Sequence, residues 1–200
     1  MWEQRKKIVA QIQEKRSGSR LVCYLTSDRQ NATAILSKDA IPIFHNQLMQ
    51  WGKISKLDVL LFTTGGDTLA AFHLGRLVRE FADKVGVLVP ETCLSAGTLF
   101  ALGADEIYMS AAGTLSPIDP SITTLLNPVA EGPMPGQKQL LPVSVESVAG
   151  FKSLLQEEWG IKGEEALTQV YKLLAERVHP LALGDVYRSR QQIERLANHS

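Results

Sequence analysis

Ser95 and the glycine pair Gly65-Gly66 are the residues of this sequence whose types and positions best fit a chemical reaction. Ser95 precedes a predicted helix over residues 96–103, where free N–H groups and the helix dipole favour developing negative charge. A serine placed there can attack a carbonyl carbon while the amide of Ala96 holds the resulting oxyanion. Gly65 and Gly66 carry no side chains, so their amides can approach an anionic oxygen closely. The pattern predicts a nucleophile and an oxyanion hole.

Each half of this pattern has a simpler interpretation. A serine before a helix is most often an N-cap, and a glycine pair is most often a tight turn. Cys93 stands two residues before Ser95 and is expected to be a small buried residue if the turn places it on the opposite side. The combination of the two motifs is therefore more informative than either one alone.

Two apolar runs must position these turns. Residues 58–64 read Asp-Val-Leu-Leu-Phe-Thr-Thr and residues 85–89 read Val-Gly-Val-Leu-Val. A continuous apolar run bounded by turn signals is typical of a parallel strand covered by helices on both faces. Such sheets carry their function at the carboxyl ends of the strands. The predicted fold class is α/β.

The rest of the chain is predicted to be largely helical. Asp67 is expected to cap a helix over residues 68–81, which by periodicity buries Leu69, Phe72, Leu77 and Phe81. The prolines of residues 115–122 predict an irregular loop. Further helices are predicted at about residues 1–16, from 37 or 39 to 51, and at 145–159, 164–178 and 185–197, with strands at 20–25 and 105–109.

These motifs together resemble the Clp-fold serine peptidases of the ClpP/crotonase superfamily, closest to the signal peptide peptidase-like (SppA-like) branch called the serine dehydrogenase proteinase family. The length of 200 residues and the apolar content of 44% predict a single domain over residues 1–200. The resemblance, which spans about residues 57–196, implies repeated β-β-α units and a C-terminal helical arm at about 145–200. It also implies that Ser95 is the nucleophile and that Gly66 and Ala96 supply the oxyanion-hole amides, with Gly65 lining the cleft. The residues that carry it are Thr64-Gly65-Gly66-Asp67, Ser95-Ala96-Gly97-Thr98, Ala104–Met109, Leu115–Pro120 and His179–Arg188.

The general base is the open part of this prediction. No histidine occurs between His73 and His179, and the signal peptide peptidase-like relatives use a Ser-Lys dyad. A desolvated lysine can replace histidine, so Lys138, in a predicted flexible loop, is the first choice and Lys152, on a helix, the second. Each also fits a solvated charge. Asp119 orients a base, lines the cleft or forms a plain turn, and His179 is either a base or a cation at a helix C-terminus.

Composition narrows the class of partner. The net charge is zero, with 21 basic and 21 acidic residues, so nucleic acid is not expected. Two cysteines far apart in sequence favour a reducing compartment over a disulfide framework. No signal peptide or membrane span is indicated, although members of the resembling family often carry a membrane segment. We expect a cytoplasmic protein without metal or organic cofactor, and the resemblance implies a homo-oligomer acting on peptides or proteins.

Two other functions remain open. A crotonase-type acyl-CoA enzyme uses a similar backbone oxyanion hole but needs an acidic base and a nucleotide-binding surface, whereas the Ser-Ala-Gly turn favours a peptidase. A non-catalytic scaffold or peptide-binding subunit would keep the fold and lack a base. Binding of acyl-CoA would favour the first alternative, and absence of an activated serine the second.

Overall fold

The computed structural model describes residues 2–118, 121–122, 125–132 and 136–197. Internal contacts divide the chain into two compact units, Met1–Ile118 with Leu196–Ser200 and Asp119–Arg195. A single domain over residues 1–200 stays a prediction.

The first unit is an alternation of helices and parallel strands. Its elements are α1 (Trp2–Lys15), β1 (Arg20–Leu25), α2 (Ala40–Trp51), β2 (Ile54–Phe62), α3 (Thr68–Phe81), β3 (Ala82–Val89), β4 (Thr92–Cys93), α4 (Ala96–Leu102), β5 (Glu106–Met109) and β6 (Thr114–Leu115). The sheet has the order β1-β2-β3-β5, and all three pairings are parallel. The two short strands, β4 and β6, pair in parallel beside it. The predicted α/β class with a parallel sheet is confirmed, while the repeated β-β-α units and the C-terminal arm stay predictions.

The two central strands hold the core of the first unit. Consecutive residues are buried in the middle of both strands, at 57–59 of β2 and 85–87 of β3, as expected for a sheet covered on both faces. On α3 the predicted buried face is wrong, because Leu69, Phe72, Leu77 and Phe81 are only half-buried. The buried residues are Ala70, Ala71, Leu74 and Val78. These four residues follow one another at spacings of one, three and four, so they form one face of α3, and the centre of that face is displaced from the one that the largest side chains predicted.

A buried ion pair anchors the end of α1 to the sheet. Asp58 on β2 is fully buried and accepts hydrogen bonds from Arg16 Nε (2.9 Å), Arg16 Nη2 (3.2 Å) and Ser19 Oγ (2.6 Å). The Arg16 guanidinium also stacks 3.5 Å from the ring centre of Tyr108 on β5. These contacts compensate the burial of the Asp58 carboxylate. The pKa of Arg16 is raised, chiefly by its hydrogen bond to Asp58.

The second unit combines two small antiparallel pairings with helices. Strand β7 (Ser121–Ile122) pairs with β10 (Val143–Ser144), and β8 (Val129–Glu131) pairs with β9 (Lys138–Leu140). The helices are α5 (Val145–Ser153), a π-helical turn (Leu154–Glu158), α6 (Glu164–Arg177) and α7 (Pro180–Ala197). None of the helices in the described residues combines the length and the apolar character that a membrane crossing requires.

Two sequence predictions in this unit are wrong. The last helix begins at Pro180 and not at Asp185, because proline at a first helical position needs no N–H partner and already has helical φ. Helix α5 ends at Ser153, and the segment up to Glu158 continues as a π-helix. Gly184 therefore lies inside a helix and does not separate two of them.

Candidate functional site

Thr63, directly after β2, joins the two loops that carry the predicted site. Its amide donates to the carbonyl of Thr92 (2.8 Å), and its carbonyl accepts from the amide of Leu94 (2.9 Å). The side chain is fully buried, and its hydroxyl lies 3.1 Å from the amide nitrogen of Gly65. One residue is thus bonded to the glycine turn on one side and to the segment leading to Ser95 on the other.

The glycine turn needs two residues without side chains. Gly65 and Gly66 have φ of 115° and 147°, in the region that favours glycine. A β-carbon on Gly66 would lie 2.1 Å from the carbonyl oxygen of Leu36, because Leu36 pairs with this turn: its amide donates to Gly65 O (2.9 Å) and its carbonyl accepts from Asp67 N (2.8 Å). Among the hydrogen bonds of the described residues, none uses the amide of Gly66.

Asp67 ends the glycine turn and starts α3. Its carboxylate accepts from the amides of Leu69 (2.8 Å) and Ala70 (3.1 Å). This confirms the predicted N-cap. The cap fixes the direction in which the chain leaves the turn, so the amide of Gly66 is held between the contact with Leu36 and the start of the helix.

Ser95 occupies a sharp turn between β4 and α4. Its backbone has φ 50° and ψ −111°, and its hydroxyl makes no capping hydrogen bond. Although it stands at the N-cap position, the simple N-cap interpretation is therefore wrong. A non-glycine residue held in a sparsely populated conformation is a feature of functional sites, and strand-to-helix turns of this kind expose a nucleophilic serine.

The start of α4 orients a second free amide. The carbonyl of Ser95 accepts from Leu99 N (3.1 Å), which fixes the peptide plane whose other end is the N–H of Ala96. No hydrogen bond among the described residues uses that N–H. Two unused amides, those of Gly66 and Ala96, thus belong to the two loops that Thr63 joins.

The buried side of the turn is closely packed. A β-carbon on Gly97 would lie 2.4 Å from Thr63 Cγ2 and 2.9 Å from Cys93 Sγ. Cys93 is fully buried, and burial raises the pKa of its thiol to about 12. The burial of Cys93 confirms the prediction of a small buried residue. A protonated, inaccessible thiol is a much weaker nucleophile than a thiolate, so Cys93 does not compete with the Ser95 hydroxyl.

Ser116, which sequence analysis did not single out, contacts the serine turn. The amide of Ser95 donates to Ser116 Oγ (2.9 Å). The hydroxyl of Thr98 donates to Ser116 O (2.8 Å), and the amide of Ser116 lies 3.3 Å from the same hydroxyl. Ser116 lies within the motif Leu115–Pro120, but the motif does not indicate its partner, which stands 21 residues earlier in the sequence.

The predicted bases belong to the second unit and are described within it. Lys138 is not in a flexible loop: it is an exposed residue of β9, opposite Glu131. Lys152 is exposed on α5 and borders a cavity of about 200 Å³ that Phe151 and Val186 also line. Asp119 lies outside the described residues. Their roles in a reaction stay predictions.

His179 lies next to the last helix. Its Nδ1 accepts from the amide of Leu181 (3.2 Å), at the start of α7. This is a capping contact at the start of α7, and the roles of His179 as a base or as a cation at a helix C-terminus stay predictions. Within the described part of the chain, no group of three or more His, Cys, Asp or Glu is arranged to hold a metal ion.

Comparison with known proteins gives one family match that includes the site and two relatives that match part of the chain. The family model described as ClpP-like SDH-type serine proteinase matches residues 1–131. Two proteins of Methanocaldococcus jannaschii, uncharacterized protein MJ0137 and uncharacterized protein MJ1495, are each 36% identical, over 70 and 66 residues. These matches cover 35% and 33% of this chain, and 24% and 23% of the relatives' own lengths. The matched part is thus about a quarter of each relative.

Proposed function

We propose that this chain, which belongs to the ClpP-like SDH-type serine proteinase family, is a serine peptidase that cleaves peptide bonds through an acyl-enzyme on Ser95. The observation that carries the proposal is the pair of unused amides, on Gly66 and Ala96, beside a serine whose hydroxyl caps nothing. Backbone donors aimed at a developing oxyanion are usually the largest single contribution to such catalysis.

The reaction follows from this arrangement. Ser95 Oγ attacks the carbonyl carbon of the scissile peptide bond as a base takes its proton. The carbonyl oxygen becomes an oxyanion that accepts hydrogen bonds from the amides of Gly66 and Ala96. The C–N bond then breaks, the amine leaves with the proton, and the acyl group remains on Ser95 until water releases it as a carboxylate.

A lysine is proposed as the base, with Lys138 first and Lys152 second. The proposal is supported by the absence of histidine from the sequence between His73 and His179. It is also supported by the chemistry of the ammonium group, because desolvation in an assembled site lowers a lysine pKa enough to let it accept a proton at neutral pH. Asp119 would orient this base or line the cleft.

Peptides or proteins are the proposed substrates, and a homo-oligomer is the proposed assembly. Support for assembly comes from β5, an edge strand of the sheet in the described residues, where Ile107, Tyr108 and Met109 are 36–45% exposed. An edge strand with apolar side chains is normally covered by a partner or protected by charge. A second subunit on this edge would remove these side chains from water.

Labelling with a fluorophosphonate, measured by intact mass, tests the nucleophile and the base together. We expect one phosphonyl group on the wild type, none on Ser95→Ala, and strongly slowed labelling in either Lys138→Ala or Lys152→Ala. Lys172→Ala, which removes an exposed lysine of α6, is the matched control and should label like the wild type.

The possible results separate the alternatives. If Lys138→Ala and Lys152→Ala both labelled at the wild-type rate, the proposed Ser-Lys dyad would be refuted, and Ser95 would remain the proposed nucleophile. An unlabelled wild type would contradict the peptidase proposal and favour a non-catalytic scaffold. Binding of acyl-CoA would then be measured to test the crotonase-type alternative.

A further inference from the structure

We propose that Ser116 is a positioning residue that sets the orientation of Ser95 and, through it, of the Ala96 amide. The inference rests on the proposed peptidase function. Its starting observation is the 2.9 Å hydrogen bond from the amide of Ser95 to Ser116 Oγ. This contact joins the serine turn to the segment that follows β6, and it involves the backbone of Ser95 while leaving its hydroxyl free to react.

The peptide group between Leu94 and Ser95 is held at both ends. Its carbonyl, on Leu94, accepts from Gly97 N (2.9 Å), and its N–H, on Ser95, donates to Ser116 Oγ. Rotation of this group changes φ of Ser95, which is 50°. A non-glycine residue relaxes from such a φ unless its surroundings hold it. Ser116 provides the side-chain half of that restraint.

Ser116 is itself fixed in the orientation that this role requires. Its hydroxyl donates to Pro117 O (3.0 Å), so its oxygen has a lone pair available for the amide of Ser95. Its backbone is held by the Thr98 hydroxyl, which donates to Ser116 O (2.8 Å). Thr98 stands on α4, whose first amide is that of Ala96. The acceptor is therefore fixed relative to the helix that it aligns.

The same hydrogen bond determines which amides remain for the oxyanion. Because the N–H of Ser95 is engaged by Ser116, the nucleophile's own amide does not stabilise the oxyanion. That leaves the amides of Ala96 and Gly66. Loss of the Ser116 hydroxyl would free the Ser95 amide, let the turn relax and misdirect the Ala96 N–H. Misplacement of a reacting group by about 1 Å is enough to slow a reaction on the order of 100-fold.

The test measures the second-order rate constant for fluorophosphonate labelling in Ser116→Ala, Ser116→Thr and Ser110→Ala. Ser110 is the matched control: its hydroxyl also donates to a carbonyl (Pro90 O, 2.5 Å) and accepts from an amide (Ala112 N, 3.0 Å), without touching Ser95. We expect Ser116→Ala to label on the order of 10- to 100-fold more slowly. Ser116→Thr, which keeps a hydroxyl, should recover most of the rate, and Ser110→Ala should match the wild type.

A spectroscopic measurement separates positioning from general destabilisation. The ³¹P resonance of the phosphonylated enzyme reports hydrogen bonds to the phosphoryl oxygen, which stands in for the oxyanion. It should shift in Ser116→Ala and stay unchanged in Ser110→Ala. Thr98→Val, nearly isosteric and lacking the hydroxyl that holds Ser116, should move rate and resonance in the same direction, which keeps the test decisive if Ser116→Ala fails to fold.

Three results would overturn the inference in distinguishable ways. If the wild type is labelled and folded Ser116→Ala has the same labelling rate constant and the same ³¹P resonance, the positioning role of Ser116 is refuted. The proposed peptidase function is not affected by that result. An equal slowing in Ser110→Ala would also refute it, because the effect would then be a general one. An unlabelled wild type would overturn the proposed function, and the positioning inference with it.

Discussion

Gly65 lies directly against Ser95: a β-carbon on Gly65 would stand 3.1 Å from the β-carbon of Ser95 and 3.6 Å from its hydroxyl oxygen. The first glycine of the turn thus borders the space around the Ser95 side chain. Its φ of 115° lies in the region that L side chains rarely adopt. Any side chain at this position displaces the serine or changes the turn.

Gly65→Ala should therefore slow fluorophosphonate labelling by at least about 10-fold and destabilise the fold by about 1–3 kcal/mol, the usual cost of a strained backbone. Gly75→Ala is the matched control, because a β-carbon on Gly75 meets nothing within 4 Å in α3. It should keep the labelling rate and add up to about 1 kcal/mol of stability through helix propensity. Urea unfolding measures the stabilities; equal effects of both substitutions would contradict the prediction.

Replacing Ser95, the proposed nucleophile, should reveal the strain in its backbone. Ser95→Gly and Ser95→Ala both remove the hydroxyl and should both abolish labelling. Only glycine adopts φ 50° and ψ −111° readily, so Ser95→Gly should be more stable than Ser95→Ala by about 1 kcal/mol. The difference in the free energy of urea unfolding measures it. If Ser95→Ala were the more stable variant, the turn would not be strained.

The buried ion pair of the sheet should be worth far more than an exposed one. Asp58→Asn keeps the shape of the side chain but leaves Arg16 without its carboxylate, so we expect a loss of about 3 kcal/mol in the free energy of unfolding. Glu3→Gln, which breaks the exposed pair with Lys6 (3.0 Å), should cause no measurable change. Labelling of Ser95 in folded protein should stay normal in both variants. If Asp58→Asn left the free energy of unfolding unchanged, the ion pair would not stabilise the contact of α1 with the sheet.

The two cysteines should differ in reactivity. Cys23 is exposed and Cys93 is buried, so iodoacetamide at pH 8 should modify Cys23 in the native protein and both residues in urea, as intact mass would record. Burial raises the pKa of Cys93 from 9.0 to about 12. Because the pKa of this thiol is higher in the folded protein than in the unfolded chain, its contribution to stability is complete below the pKa of the unfolded chain. The contribution is lost as the pH rises toward the pKa of the folded protein.

The free energy of unfolding should therefore fall more steeply between pH 9 and 12 in the wild type than in Cys93→Ala. The alanine variant is less stable at neutral pH because it leaves a cavity, so the slopes are compared and not the absolute values. The burial of the Cys93 thiol and its raised pKa would be contradicted by either of two results. One is an equal pH dependence of the free energy of unfolding in the wild type and in Cys93→Ala, and the other is alkylation of native Cys93 as fast as that of Cys23.

Local patterns were sufficient to predict the framework of the site. The apolar runs of β2 and β3, the glycine turn and the serine before a helix are all short-range signals. Helix α3 has the predicted bounds of residues 68–81, and Asp67 is its cap, as predicted. These features follow from hydrogen bonding and periodicity within a few residues, which a single sequence records.

Features that depend on distant partners escaped prediction. Ser116 acts on an amide 21 residues away. Lys138 has a strand conformation because β9, which it begins, pairs with residues 129–131 of β8. This pairing forms although Gly132 and two prolines precede Lys138 in the sequence. The predicted buried face of α3 is wrong because the tertiary contacts of the helix, and not the periodicity of its largest side chains, determine which of its residues are buried. In each case a tertiary contact overrode the local preference.

Thr63 has a consequence for the thermodynamics of substrate binding. Because its backbone bonds to the serine segment while its side chain bonds to the glycine turn, the two loops carrying the Gly66 and Ala96 amides have little freedom to move apart. A peptide that enters the site would lose its own conformational entropy but would not have to order the donors that receive it. The proposed oxyanion hole would thus be preorganised before substrate arrives, so more of the binding energy would remain to stabilise the transition state.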